Sequence, residues 1–253
     1  MLQPLFLRCV KKIFNINSQI EDSSMTKVRI WDLPTRIFHW ALVFTLIALV
    51  VTGEVGGSAM DWHYYFGYSV VALLVFRIVW GFAGGRWSRF SVFVRSPANV
   101  LRYVRDLRDL GSNPAADRHV GHNPLGALSV LALLATTTLQ AVSGLFSDDD
   151  ILARGPLAHL TASEWVSRAT WLHTGPAKWG LLLLVGLHMA AIFYYVRIKK
   201  HDLLRPMLDG DQILDRPTVP SADRWPHRLG ALVLFSLFLS TLWWGLETLR
   251  HTV

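Results

Sequence analysis

The chain has 253 residues, of which 52% are hydrophobic and only 17% charged, with a mean hydropathy of +0.33. A soluble domain carries about a quarter charged residues, so the composition argues against one and for a membrane protein. The formal charge of +7 is gathered in alternate loops, which argues against a nucleic-acid surface, and the lone cysteine, Cys9, excludes an intramolecular disulfide, a thiolate-held zinc or iron–sulfur site and a CxxCH attachment.

In chain order, residues 1–27 form an N-terminal extension. Leu5, Phe6, Val10, Ile13 and Phe14 against Arg8, Lys11 and Lys12 suit a basic helix lying on a membrane surface. The simpler reading is that translation starts at Met25. Five apolar runs follow, at 37–53, 63–82, 124–146, 176–196 and 229–246. Each approaches the ~20 residues that cross a bilayer as a helix, and each is apolar all round. The eleven tryptophans suit the membrane–water boundary. The expected fold is all-α: an integral membrane four-helix bundle over 28–207, a linker at 208–228, and one additional transmembrane helix in 229–253.

Lys and Arg alternate between loops. Arg8, Lys11, Lys12, Lys27, Arg29 and Arg36 precede the first run, and none follows it before Trp62. Seven lie between Arg86 and Arg118, two (Arg154 and Arg168) in the next loop, and seven between Arg197 and Arg228. The positive-inside rule then places the N-terminus on the inner side of the membrane and the C-terminus on the outer side.

Four of the ten histidines have informative depths. His39 lies near the inner end of the first helix and His63 opens the second on the outer side. His173 stands at the outer entrance of the fourth, and His188 lies within it. An ionisable group inside a span is costly and signals function. His173 and His188 are 15 residues apart, about 22 Å of rise and within ~60° in direction, so one face carries an imidazole near each membrane side. Facing imidazoles suit six-coordinate iron, which predicts an outer haem on His63 and His173 and an inner haem on His39 and His188. With both axial positions filled, electron transfer is favoured over oxygen chemistry. Zinc would need its ligands clustered. Proton relay is the other reading, and Glu247 is the only acid within or bordering a run.

His122 precedes Asn123 and Pro124, an N-cap followed by proline at the first helical position. It either flanks the helix or joins an inner-haem or quinone pocket. His159 is a reserve ligand in the outer loop. Gly67, Gly144 and Gly186 either admit a flat macrocycle or serve helix packing. Arg36, Arg77 and Lys199 either anchor the positive-inside face or pair with haem propionates.

Together, "VRIWDLPTRIFHW" from Val28, "WHYYFGYSVVALLVFRIVWGF" from Trp62, "GHNPLGALSVLALL" from Gly121 and the Leu187-His188 pair after His173 resemble the prokaryotic cytochrome b561 and nickel-iron hydrogenase b-type cytochrome family over roughly 28–207. The resemblance implies a four-helix core holding two haems b on His39, His63, His173 and His188. The spacing from His173 to His188 is one residue longer than the family leads one to expect, with the extra residue near Thr174-Gly175-Pro176. This puts His173 on a pre-helical turn and makes it the least secure ligand. The implied function is an electron-transfer subunit rather than a stand-alone enzyme. It would link a partner, either a dehydrogenase or hydrogenase subunit or a c-type cytochrome, to the quinone pool. The alternatives are a self-contained quinone oxidoreductase with a small donor and a haem-free proton-conducting transporter. The implied surroundings are membrane lipid and quinone.

Overall fold

In the computed structural model the described residues are 26–110, 119–149 and 153–250; the expected surface helix before Met25 lies outside them. Strand β1 (Thr26–Arg29) leads into α1 (Leu33–Val55), and a tight turn leads into α2 (Met60–Ala83). Next come the short α3 (Phe90–Phe93), the amphipathic α4 (Pro97–Leu110) and α5 (Pro124–Leu145). Helices α6 (Ser163–Thr174) and α7 (Pro176–Arg197) are followed by the short α8 (Leu204–Asp209), strand β2 (Asp211–Leu214) and α9 (Trp225–Arg250).

Five segments are long and apolar enough to cross a membrane, with α6 and α7 together forming the fourth. The chain is an all-α, multi-pass membrane protein. Half of the apolar window of α2 is buried, against 11% or less in every other span, so α2 is the central helix, with α1, α5 and α9 around it. Large apolar side chains such as Phe44, Ile47, Leu183 and Phe193 are more than 60% exposed, which suits a surface facing lipid rather than water. Exposed indoles mark both ends. Trp62, Trp165, Trp171, Trp179 and Trp244 stand at the end holding the α1–α2 turn, and Trp40 and Trp225 at the end holding the strands.

The helices run past the apolar runs, which brings Glu54 and Asp61 into helical segments alongside Glu247. Helix α1 starts early because Asp32 caps it, its carboxylate accepting from Thr35 N at 2.8 Å, with Pro34 in the first turn. Asp32 is fully buried. Its Oδ1 also accepts from Trp80 Nε1 at 3.2 Å, and its Oδ2 from Gly85 N at 3.0 Å and Ser88 Oγ at 2.8 Å. A Cβ at position 85 would stand 2.3 Å from Oδ2, so this approach needs glycine. The hub ties the start of α1 to the end of α2, above the core of Phe38, Leu73, Phe76, Trp80 and Ala231. Because Ala231 and its neighbours Leu234, Phe235 and Phe238 belong to α9, that helix packs into the bundle.

The stretch read as a linker contributes β2, antiparallel to β1 with Thr26 opposite Leu214 and Arg29 opposite Asp211. Arg29 pairs with Asp211 at 2.7 Å and Asp223 at 3.3 Å. Asp223 accepts from Leu33 N at 3.0 Å and pairs with Arg228 at 2.9 Å, joining the first turns of α1 and α9. Burial pushes the Asp223 carboxyl up, but the hydrogen bonds from Arg228 and Leu33 N and the charges of Arg228 and Arg29 outweigh it, and the net shift is downward. Asp209 is also lowered, chiefly by the Asp211 N–H.

Asp32→Ala leaves four donors without their acceptor and is expected to destabilise the protein by about 3 kcal/mol or more, read as a lower thermal midpoint in detergent; a wild-type midpoint would refute the hub. A carboxyl lowered on folding adds stability above its unfolded value of about 3.9, and that stability fades as pH falls through the folded value. Pepsin cleavage between residues 215 and 222 is therefore expected to accelerate as pH drops below about 4, and a flat profile would show that the ionic clasp does not hold this segment.

Candidate functional site

One histidine pair meets directly. At the end with the α1–α2 turn, His63 from the first turn of α2 faces His173 from the last turn of α6, ring centroids 6.2 Å apart and planes near perpendicular. His63 Nδ1 lies 3.0 Å from the Leu49 carbonyl and 3.2 Å from Thr52 Oγ1, both on α1. His173 Nδ1 lies 2.8 Å from the Gln140 carbonyl and 3.5 Å from Ser143 Oγ, both on α5. A carbonyl can only accept, so each Nδ1 carries a proton, and in the neutral imidazole each Nε2 keeps its lone pair. This is how a metal-binding imidazole is oriented by its outer partners. Gln140 Nε2 also donates to the His173 carbonyl at 3.0 Å.

Two glycines make room for these rings. A Cβ on Gly144 would stand 2.6 Å from His173 Cε1, and one on Gly53 would stand 3.1 Å from His63 Cε1. Of the glycines singled out by position, Gly67 and Gly186 would meet nothing within 4 Å and only Gly144 touches the site; Gly53, at the end of α1, was overlooked. His173 does not sit on a pre-helical turn. It ends a helix of its own, and the break falls at Gly175 before α7 starts at Pro176. The fourth span is thus two helices, which accommodates the odd histidine spacing. The apolar run alone did not show α6, because that helix is polar.

At the strand end, His39 of α1 and His188 of α7 are electrostatic neighbours. His122, just before α5, packs edge-on against Trp31 at 4.7 Å and tilted against Phe93 at 4.8 Å. Burial holds its imidazole well below the usual range, with further lowering by Arg77 and His188. Asn123 caps α5, accepting from Gly126 N at 2.7 Å as its position before Pro124 foretold, and donates to Tyr195 Oη at 2.9 Å. His39 Nδ1, His122 Nδ1 and Arg77 Nη1 are buried without a hydrogen-bond partner. His159 lies on a turn at Ala158–Leu160. Among the described residues no three His, Cys, Asp or Glu side chains converge as a metal cluster.

The chain is thus a multi-pass membrane bundle with a facing imidazole pair near one end. Residues 30–210 match the family of prokaryotic cytochrome b561, and the chain belongs to that family. It is similar to the probable Ni/Fe-hydrogenase B-type cytochrome subunits of Azotobacter chroococcum (25% identical; 76% of this chain, 92% of that one) and Azotobacter vinelandii (26%; 76% and 92%). It is also similar to the probable Ni/Fe-hydrogenase 1 B-type cytochrome subunit of Escherichia coli K12 (28%; 46% and 57%). No solved structure matches the chain. The protein is a membrane-embedded b-type cytochrome of electron transport, and its cofactor is haem b. The residues fit such a group: a facing imidazole pair whose Nδ1 atoms are engaged by carbonyls, glycines that admit those rings, and unpartnered buried nitrogens at the strand end.

Gly144→Ala places a methyl group inside contact distance of His173 and is expected to reduce the haem absorbance per protein to half or less in membranes. Absorbance equal to wild type would show that the ring is free to move aside.

Proposed function

We propose that the chain carries two haems b in series, one held by His63 and His173 and the other by His39 and His188, and passes electrons between a redox partner and the quinone pool. The observation that carries this reading is the pair formed by His63 and His173, each with Nδ1 committed to a backbone carbonyl and Nε2 left to bind. A haem held by this pair would supply one-electron transfer. The protein's part is to orient and insulate. The Leu49 and Gln140 carbonyls fix the ring tautomers, the glycines give room, and the apolar core of α1, α2 and α9 keeps water from the path. Along α1, His39 and Gly53 are separated by about 21 Å of rise, which sets the two sites at opposite depths.

The names of the relatives favour a hydrogenase as the partner, and the number of groups held and the identity of the acceptor are part of this proposal. The loop charges support an inner bacterial membrane, with the strand end in the cytoplasm and the His63–His173 end facing the periplasm. The domain limits follow from the same reading: a cytochrome unit at 28–207 after the extension at 1–27, then the connecting 208–228 and the final helix within 229–253.

The test is a haem count with oxidised and dithionite-reduced visible spectra on detergent-purified protein. Two haems b per chain are expected, with one lost in His63→Ala and the other in His39→Ala. A single haem, or one that survives both substitutions, would overturn the paired assignment.

A further inference from the structure

Arg77 is a buried cation whose position within a span separates its two sequence readings, surface anchor or propionate partner. It lies on the central helix α2, 3% exposed, within a segment apolar enough to span the membrane. Its guanidinium stacks over Phe90 at 4.8 Å and Phe93 at 5.9 Å. The Asp32 carboxylate acts on it through space, but both Asp32 oxygens are already engaged, Oδ1 by Thr35 N and Trp80 Nε1, Oδ2 by Gly85 N and Ser88 Oγ. Arg77 therefore has a nearby opposite charge, yet its Nη1 is buried without an acceptor.

A second donor waits beside it. His122 lies within electrostatic reach of both Arg77 and His188, and its Nδ1 is likewise buried and unpartnered. Trp31 and Phe93 hold its ring from two sides, so it cannot swing out to water. Buried polar groups in a folded protein are normally paired, and a guanidinium, with five donors and no acceptor capacity, recognises carboxylates through parallel hydrogen bonds. The unpaired nitrogens come from two different elements that both pack on Phe93, and His122 also lies within electrostatic reach of His188. They call for one anionic acceptor that belongs to neither the helices nor the strands.

We propose that Arg77 and His122 together receive a carboxylate, namely a propionate of the haem b held between His39 and His188. This rests on the two-haem reading above. Arg77 is a binding residue for the cofactor in this assignment, and His122 supplies the second hydrogen bond while fixing where the carboxylate lies.

The experiment is a redox titration of the full-length protein in detergent, with the strand-end haem identified as the one missing from His39→Ala. A cation bonded to the propionate favours the reduced haem. Arg77→Gln is thus expected to shift the ferric–ferrous equilibrium of that haem about tenfold toward the oxidised form, ~59 mV for one electron. Arg77→Lys should recover most of the shift, His122→Phe should give a smaller shift in the same sense, and the other haem should not move. Apoprotein reconstituted with the dimethyl ester of haem b, which has no free carboxylate, should lose the difference between wild type and Arg77→Gln. A persisting difference with the ester would overturn the proposal in favour of simple long-range charge, as would an unmoved midpoint with the natural haem. Should Arg77→Gln not assemble, Arg77→Lys and His122→Phe are compared in the same way with both haems. A wild-type protein without a second haem would instead overturn the two-haem reading itself.

Discussion

Asp32 is a carboxylate placed where water cannot reach it, and the strand end of the bundle is arranged around its four donors. It caps α1, receives the Trp80 indole from α2, and holds the turn at Gly85 and Ser88 that sends the chain away from the membrane core. Ser221 completes the attachment by donating to the Ile30 carbonyl at 2.7 Å, while Asp223 grips the first turns of α1 and α9. In hydrocarbon every unmade hydrogen bond is costly, so a satisfied buried carboxylate specifies helix position more sharply than apolar contact alone. With α1 and α2 fixed at this end, His39 and His63 inherit their depths from helix rise alone.

The two histidine pairs are built differently. At the far end both imidazoles are anchored by carbonyls of neighbouring helices, and the room beside them is made by Gly53 and Gly144. At the strand end His39 Nδ1 finds no such anchor, and the surrounding nitrogens of Arg77 and His122 are also unpaired. One end holds a facing pair with both Nδ1 atoms engaged by carbonyls. At the other, the buried nitrogens lack hydrogen-bond partners.

The five spans were legible because length and continuous hydrophobicity decide a transmembrane helix. That His63 would come to face His173 was legible because rise per residue is constant. The limits of α1 were less so: a capped helix continues through polar residues that a hydropathy window discards, and Asp32 sits in a conspicuous motif without announcing that it will be buried. The two strands escaped because Lys27, Arg29 and Asp211 interrupt any apolar alternation, and what holds them is an ionic clasp between segments some 180 residues apart in sequence. Gly53 carries no local sign of its contact with His63, since only the turn between α1 and α2 brings them together. The break at Gly175 was visible as an odd spacing but not as a separate helix.

The exposed indoles at the two ends have a consequence for energetics as well as for anchoring. Five tryptophans at one end and two at the other resist both sinking and rising of the bundle, because each ring prefers the headgroup layer to either water or hydrocarbon. The bundle is moored at a fixed draught. The buried histidines near each end therefore keep a steady depth below the headgroup layer on their own side.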